Sequence, residues 1–170
     1  MGLPWCACQA GLVVYQISNL AGSSRLAGIT EQLLGRLPAW FGIPEANADY
    51  VASATRLPGL VAYAGQEVVG VLLHRLHFAE SAEIHLMAVA PSWHRKGVGR
   101  ALVAAVEADL GADGCRLLQV KTLGASHPDQ GYADTREFYR SVGFLPLEEM
   151  ADLWPGTPCL LMVKALESAP

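Results

Sequence analysis

Charged residues are scarce in this sequence, and the basic ones are fewer than the acidic ones. The 170 residues include 12 Lys and Arg against 16 Asp and Glu, which gives a formal net charge of −4. A protein that binds nucleic acid over a broad surface needs an excess of positive charge. The composition therefore predicts no nucleic-acid partner, although a local basic patch can still bind one phosphate group.

Cysteine is scarce as well, and long apolar runs are missing. Of the four cysteines, Cys6, Cys8, Cys115 and Cys159, only the first two lie close together, and no second pair has zinc-finger spacing. The first Lys or Arg is Arg25, so the chain lacks the basic start of a signal peptide. No apolar run is long enough to span a bilayer. We expect reduced thiols in a cytoplasmic protein with no metal and no membrane association.

The hydrophobic content, 52% of the residues, is enough for one compact core. Apolar spacing and turn residues predict alternating strands and helices. Strands are predicted at 12–17, 59–78 (a hairpin turning at Gly65 and Gln66), 82–90, 115–123, 144–150 and 159–166, and helices at 23–37, 44–57, 97–110 and 134–142. One strand–helix–strand crossover among hairpins predicts a mixed sheet flanked by helices.

A glycine-spaced basic turn, "HRKGVG" at residues 94–99, precedes the third predicted helix. It offers no Ser, Thr, Asp or Asn to cap the helix, so the free N–H groups are available to an anion such as phosphate. Gly97 and Gly99 allow close backbone approach, and three basic side chains lie nearby. These are Arg95, Lys96 and Arg100. The alternative is a tight turn whose N–H groups bind water.

Two other phosphate-binding patterns do not fit this turn. A P-loop requires Gly-x-x-x-x-Gly-Lys-Ser/Thr, which does not occur in the sequence. The dinucleotide-binding fingerprint requires a third glycine, and Leu102 stands at that position. The free N–H groups, glycines and basic side chains of the turn therefore predict a diphosphate site that is neither a P-loop nor a dinucleotide-binding fingerprint.

Two segments carry a resemblance to a known family. Residues 82–103, "AEIHLMAVAPSWHRKGVGRALV", are similar to the acetyl-CoA-binding motif of the GNAT N-acetyltransferase superfamily, with His94 where the family has Gln or Arg. Residues 136–144, "REFYRSVGF", resemble the family's second motif. The resemblance implies a GNAT fold over residues 12–167: a mixed, mostly antiparallel sheet of six to seven strands with splayed central strands and about four helices. Residues 1–11 lie outside it as an N-terminal extension.

The resemblance also implies a reaction, in which an amine attacks the thioester of acetyl-CoA directly. Glu83 is the expected base, because many family members place a glutamate here, and His85 could share its proton path. Strict alternation would place both on one face of the strand with Met87 and Val89. Tyr139 is the expected acid, with Phe138 facing the core. The expected donor-binding residues are Met87, Ala88, Val89, His94, Arg95, Lys96, Gly97, Val98, Gly99, Arg100 and Ala101.

The acceptor is predicted to lie between segments 37–50 and 123–135. Candidate acceptor-binding residues there are Trp40, Phe41, Asp129 and Tyr132, and an acidic rim would weakly favour a small cationic amine. Acetylation of a protein N-terminus or lysine stays open, as does a non-catalytic acetyl-CoA-binding regulator. Retention of Glu83 and Tyr139 speaks against the regulator. Edge strands near the C-terminus leave a homodimer open.

Overall fold

The computed structural model describes residues 14–166 and gives seven strands and four helices within them. The strands are β1 Gln16–Leu20, β2 Gly59–Ala64, β3 Glu67–Phe78, β4 Ser81–Val89, β5 Leu117–Leu123, β6 Leu145–Trp154 and β7 Thr157–Ala165. The helices are α1 Ser24–Leu34, α2 Pro44–Ala54, α3 Val98–Ala112 and α4 Gln130–Ser141. This order of strands and helices confirms the predicted one. The predicted N-terminal extension, Cys6, Cys8 and the start of the first predicted strand lie outside the described residues.

All seven strands form one sheet in the order β1-β2-β3-β4-β5-β7-β6. Neighbouring strands are antiparallel except β4 and β5, which α3 connects and which run parallel. The predicted mixed sheet is therefore confirmed. One apolar cluster lies between the sheet and α3, with Tyr139 of α4 in it, and a second lies between the sheet and α1. The two layers bury opposite faces of the same strands.

The central strands separate along their length. β4 pairs with β5 only from Ser81–Leu117 to Ile84–Val120, although β4 continues to Val89 and β5 to Leu123. On its other side, β4 stays paired with β3 as far as Val89. The described strands therefore leave the β5-facing backbone of β4 unpaired beyond Ile84. The splay that the family resemblance implied is present.

A β-bulge sits where the two strands separate. Leu86 pairs with Leu73 of β3, whereas Ile84 pairs with His74, so His85 is an extra residue on β4. Before the bulge, Ile84 packs in the α3-side cluster; after it, Leu86 packs in the α1-side cluster. The expectation that strict alternation would put Glu83, His85, Met87 and Val89 on one face is wrong, because an inserted residue reverses the parity of the strand.

Several helix boundaries differ from the predicted ones. α4 begins at Gln130 rather than at residue 134, because the Asp129 carboxylate accepts a hydrogen bond from the Tyr132 N–H at 3.0 Å and caps the helix earlier. α1 ends at Leu34, short of Pro38. α2 ends at Ala54 rather than at residue 57, and α3 ends at Ala112 rather than at residue 110. In the described part of the chain, no helix is long and apolar enough to cross a membrane.

Candidate active site

A cleft of about 690 Å³ opens where β4 and β5 separate. Its walls are the outer half of β4, the end of β5, the start of α3, one face of α4 and the segment between α1 and α2. Most of the predicted donor-binding residues line it; among them, Lys96 and Ala101 do not. The Ala101 N–H donates to the Gly97 carbonyl within the helix at 3.0 Å, so it is not free to bind an anion.

The glycine turn ends at an uncapped helix start. Gly97 is the N-cap of α3 with φ +84°, and no side chain of residues 14–166 caps the helix there. A residue with a Cβ would be strained at this φ. The N–H groups of the first helical residues have no acceptor within an α-helix, and the residues that begin α3, Val98, Gly99 and Arg100, line the cleft. The predicted cap-free turn is thus present.

Side chains around the turn hold its shape. His94 Nε2 donates to the Val89 carbonyl at 2.8 Å, which joins the turn to the end of β4. Arg100 donates to the backbone oxygen and the hydroxyl of Ser141, each at 3.2 Å. The Lys96 ammonium lies 5.2 Å from the centre of the Trp93 ring. His94 therefore has a role in positioning the turn in the place where the family has Gln or Arg.

Tyr139 and Phe138 of α4 both line the cleft and both pack against the α3-side cluster. Tyr139 is 4% exposed and belongs to the α3-side core cluster, while also lining the cleft. Phe138 is half-buried and packs over Gly99, where an added Cβ would lie 3.2 Å from a ring carbon. Phe138 packs against the α3-side cluster, as expected, and it also lines the cleft, where Gly99 leaves room for its ring. Burial, with a smaller contribution from Tyr50, raises the Tyr139 pKa and keeps the phenol protonated.

Glu83 lies under the cleft as the centre of a polar cluster. Its carboxylate accepts two hydrogen bonds from Lys121 Nζ, each at 3.0 Å, and lies 2.6 Å from His77 Nε2. Its side chain is 8% exposed, and it is not among the described residues that line the cleft. Burial opposes ionisation, but the bonds from Lys121 and His77 outweigh it and lower the Glu83 pKa. The carboxylate is therefore a weak base held by two partners.

His85, by contrast, lines the cleft with an unused nitrogen. Its Nε2 is buried and has no hydrogen-bond partner among the described residues. Burial, together with the charge of Arg75, lowers the His85 pKa, so the imidazole is neutral near pH 7 and can accept a proton. The Tyr50 ring packs edge-on at 5.5 Å between centroids and fixes its orientation.

Aromatic side chains from the two segments predicted to hold the acceptor, 37–50 and 123–135, form one wall of the cleft. Trp40, Phe41, Tyr50 and Tyr132 all line it. The Tyr132 hydroxyl donates to the Trp40 carbonyl at 3.1 Å and so connects the α1–α2 segment to α4. Asp129, predicted as an acceptor contact, caps α4 and is not part of the described lining. We refer to Trp40, Phe41, Tyr50 and Tyr132 as the aromatic wall.

Three cleft residues on β5, Val120, Lys121 and Thr122, were not predicted from the sequence. Lys121 lines the cleft beside Glu83, and the Thr122 hydroxyl is buried there without a partner among residues 14–166. Their place depends on the register of β5 against β4, which is set by the parallel pairing Glu83–Gln119. Period-two alternation within β5 places Lys121 on the same face as Gln119, but only the pairing shows that this face adjoins Glu83.

Comparison with known proteins identifies the family. A family model described as an acetyltransferase (GNAT) domain matches residues 57–146, more than half of the chain. No protein of curated function matches the sequence significantly. Solved structures of acetyltransferases have the same fold.

One of them is a GNAT-family protein from Desulfovibrio desulfuricans, with TM-score 0.75, 21% identity and coverage of 91% of this chain and 100% of the other. The ribosomal-protein-S18-alanine N-acetyltransferase of Escherichia coli has TM-score 0.74 and 17% identity, covering 92% and 97%. An aminoglycoside 6'-N-acetyltransferase complexed with coenzyme A has TM-score 0.70 and 19% identity, covering 91% and 99%. With its splayed central strands, its uncapped glycine turn and this family match, the chain belongs to the GNAT acetyltransferase superfamily.

Proposed function

We propose that the protein transfers the acetyl group of acetyl-CoA to a primary amine of a small molecule. The observation that carries the proposal is the opening between β4 and β5, with a neutral imidazole and a protonated phenol lining the same cleft. A structurally similar aminoglycoside acetyltransferase binds coenzyme A, which supports the same donor here. The lining offers a place for the donor, the acceptor and both proton-transfer groups.

The donor is proposed to bind along β4 and the glycine turn. The unpaired backbone of Met87, Ala88 and Val89 would hydrogen-bond the pantetheine arm, and a backbone N–H of this strip would stabilise the oxyanion. The free N–H groups at the start of α3 would bind the diphosphate, with Arg95 and Arg100 adding positive charge. This assignment uses backbone groups for most of the donor contacts.

His85 is proposed as the base in preference to Glu83. An alkylammonium has a pKa of about 10, so a proton must leave before nitrogen attacks. His85 Nε2 is unpartnered at the cleft, while both Glu83 oxygens already accept hydrogen bonds from Lys121. His85 accepts the ammonium proton and passes it to solvent. The neutral amine then forms the N–C bond on the thioester carbon, and His85 accepts the second proton from that nitrogen. Glu83 acts indirectly, by holding Lys121 and His77 in place.

Tyr139 is proposed as the acid. As the tetrahedral intermediate collapses, the C–S bond breaks, the sulfur leaves with its electron pair, and the Tyr139 hydroxyl donates a proton to it. Solvent then returns a proton to the phenolate and removes one from His85. The burial of Tyr139 keeps the hydroxyl protonated until the thiolate forms.

The first test is coenzyme A binding followed by turnover. We expect calorimetry to show coenzyme A binding to the wild-type protein and weaker binding to Gly99→Glu. A Cβ at residue 99 presses on Phe138, and a carboxylate there repels the diphosphate. Thiol release with polyamines, aminoglycosides, amino acids and peptides then identifies the acceptor class. Coenzyme A binding without thiol release for any amine would contradict catalysis and support a regulator; release with peptides alone would support a protein acetyltransferase.

A further inference from the structure

Lys121 is a positively charged side chain that lines the cleft and takes no part in the proposed proton transfers. It lies on β5, level with the point where β5 leaves β4, and lines the cleft with 28% of its side chain exposed. Leu118 and Val120 of the same strand pack in the α3-side cluster, so Lys121 projects from the opposite face, toward α2. It therefore lies on the acceptor side of the sheet, with His85 and Tyr50.

Glu83 holds the Lys121 ammonium group in position. Both Glu83 oxygens accept from Lys121 Nζ at 3.0 Å, and His77 and Gln119 hold the same carboxylate at 2.6 and 3.5 Å. An ammonium has three N–H donors, so one remains after two bonds to Glu83. Lys121 is thereby held in place with one N–H group free to donate a hydrogen bond into the cleft.

The charge around Lys121 favours an anion. Arg75 pairs with Glu83 across β3 and β4 and so lies on the same face, and His77 lies two residues further on. Lys121 and His77 thus contact the Glu83 carboxylate, and Arg75 lies opposite Glu83 on the neighbouring strand. Lys121 and Arg75 both lie close enough to His85 for their charges to lower its pKa. Next to Lys121, a ligand's ammonium group is therefore repelled, whereas a ligand's carboxylate is attracted.

Acidic side chains are sparse on the acceptor side. Among the cleft-lining residues that the structure describes, only Asp134 and Glu137 are acidic, and both lie on α4. Glu137 is paired with Arg140 at 2.9 Å. The remaining acceptor surface is the aromatic wall, which suits an apolar or aromatic group. The expected acidic rim is therefore confined to α4, and the rest of the acceptor surface offers the Lys121 ammonium group beside four aromatic rings.

We propose that Lys121 determines acceptor specificity by binding a carboxylate, so that the preferred acceptor is an α-amino acid with an aromatic or large apolar side chain. The carboxylate accepts from Lys121 Nζ, the amino group is directed to His85, and the side chain packs on the aromatic wall. This inference rests on the proposed function and narrows its acceptor. It also explains why Glu83 is bound to Lys121 rather than free.

The test compares acceptors that differ only in the carboxylate. Phenylalanine is paired with phenethylamine and with phenylalaninamide, and tryptophan with tryptamine, at saturating acetyl-CoA. A hydrogen bond to a charged group contributes about 1.5–3 kcal/mol, so kcat/KM should favour the amino acid about 10- to 100-fold. In Lys121→Met this preference should disappear through a higher KM for the amino acid, with the KM for acetyl-CoA unchanged.

A matched control separates this effect from loss of any lysine ion pair. Lys164 on β7 also pairs with a carboxylate, that of Glu107, but lies outside the cleft. Lys164→Met should leave the amino-acid preference unchanged. Because Lys121→Met leaves Glu83 buried with fewer partners, the double variant Lys121→Met with Glu83→Gln provides a second protein without that buried charge. Its acceptor preference should match that of Lys121→Met.

The outcomes distinguish this inference from the proposed function. Efficient acetylation of phenethylamine and tryptamine with no preference for the amino acids would overturn the inference and leave an amine acetyltransferase. A preference for amino acids that persists in both Lys121 variants would also overturn it. Absence of thiol release with every amine would overturn the proposed function itself. Loss of the preference in both Lys121 variants, but not in Lys164→Met, is the expected result.

Discussion

At the scale of single residues, the two candidate bases on β4 have different surroundings although only Ile84 separates them. Glu83 is ion-paired and buried under the cleft, and its pKa is lowered. His85 has its pKa lowered by burial and keeps one nitrogen without a described partner. The sequence of β4 offers both Glu83 and His85 as candidate bases and does not distinguish between them. The choice between them depends on Lys121, a residue thirty-eight positions from Glu83.

The first residue-scale prediction concerns pH. Because the His85 pKa is lowered from 6.5, the neutral imidazole is the main form at neutral pH, and protonation at lower pH removes the base. We expect kcat/KM to fall as pH drops below about 6.5. His85→Gln should lower kcat by about 100-fold and flatten that fall. A pH–rate profile unchanged by the substitution would show that another group supplies the base.

The second residue-scale prediction concerns the acid. Tyr139→Phe removes only the hydroxyl, so kcat should fall by about 100-fold while coenzyme A affinity in calorimetry stays the same. Tyr63→Phe is the control, since the Tyr63 hydroxyl is also buried but is not part of the described cleft lining. That variant should keep wild-type kcat. Equal rates for Tyr139→Phe and the wild-type enzyme would remove the assignment of the acid.

At the scale of elements, the start of α3 depends on one backbone conformation. Gly97 and Gly114 both have positive φ, +84° and +87°, and lie before and after the same helix. Alanine at either position should cost about 1–2 kcal/mol of stability. Only Gly97→Ala should also weaken coenzyme A binding, by about tenfold, because only Gly97 shapes the proposed diphosphate site. Equal affinities for the two variants in calorimetry would contradict that site.

Several elements were predictable from local chemistry, and two features were not. Pro44 marks the start of α2 as predicted, and the hairpin turns at Gly65 and Gln66 between β2 and β3. The sequence does not predict the early start of α4, because an Asp in a polar loop can contact an acceptor or cap a helix, and Asp129 caps α4. The bulge at His85 was missed because a one-residue insertion is defined by the partner strand, which no local pattern encodes.

At the scale of the whole molecule, two histidines, the buried His74 and the half-buried His85, make stability depend on pH. Burial lowers the pKa of both His74 and His85 from 6.5 in the folded state. Below about pH 6.5 the unfolded chain binds protons that the folded protein does not, so stability falls as pH falls. Each unit of pKa shift contributes about 1.4 kcal/mol. Glu83, with its pKa lowered from 4.5, adds a separate loss only below that value.

Urea denaturation at pH 7.5 and pH 5.5 measures this effect. The wild-type midpoint should be lower at pH 5.5, and His74→Gln, which is outside the cleft, should reduce the difference without changing kcat. Equal wild-type midpoints at the two pH values would contradict the prediction. The Glu83 pKa is lowered from 4.5, so Glu83 stays ionised at both pH values. The difference between the two midpoints therefore measures the histidine contribution without that of Glu83.

The splayed strands also bear on how such a protein acquires new reactions. In the proposed complex, the donor is recognised largely by peptide groups of β4, which every amino acid supplies alike. Acceptor recognition is left to side chains such as Trp40, Tyr50 and Lys121, which come from other elements. Duplicated copies of the gene can therefore diverge at those positions and adopt different amines, while inheriting an intact means of taking up the activated acyl group.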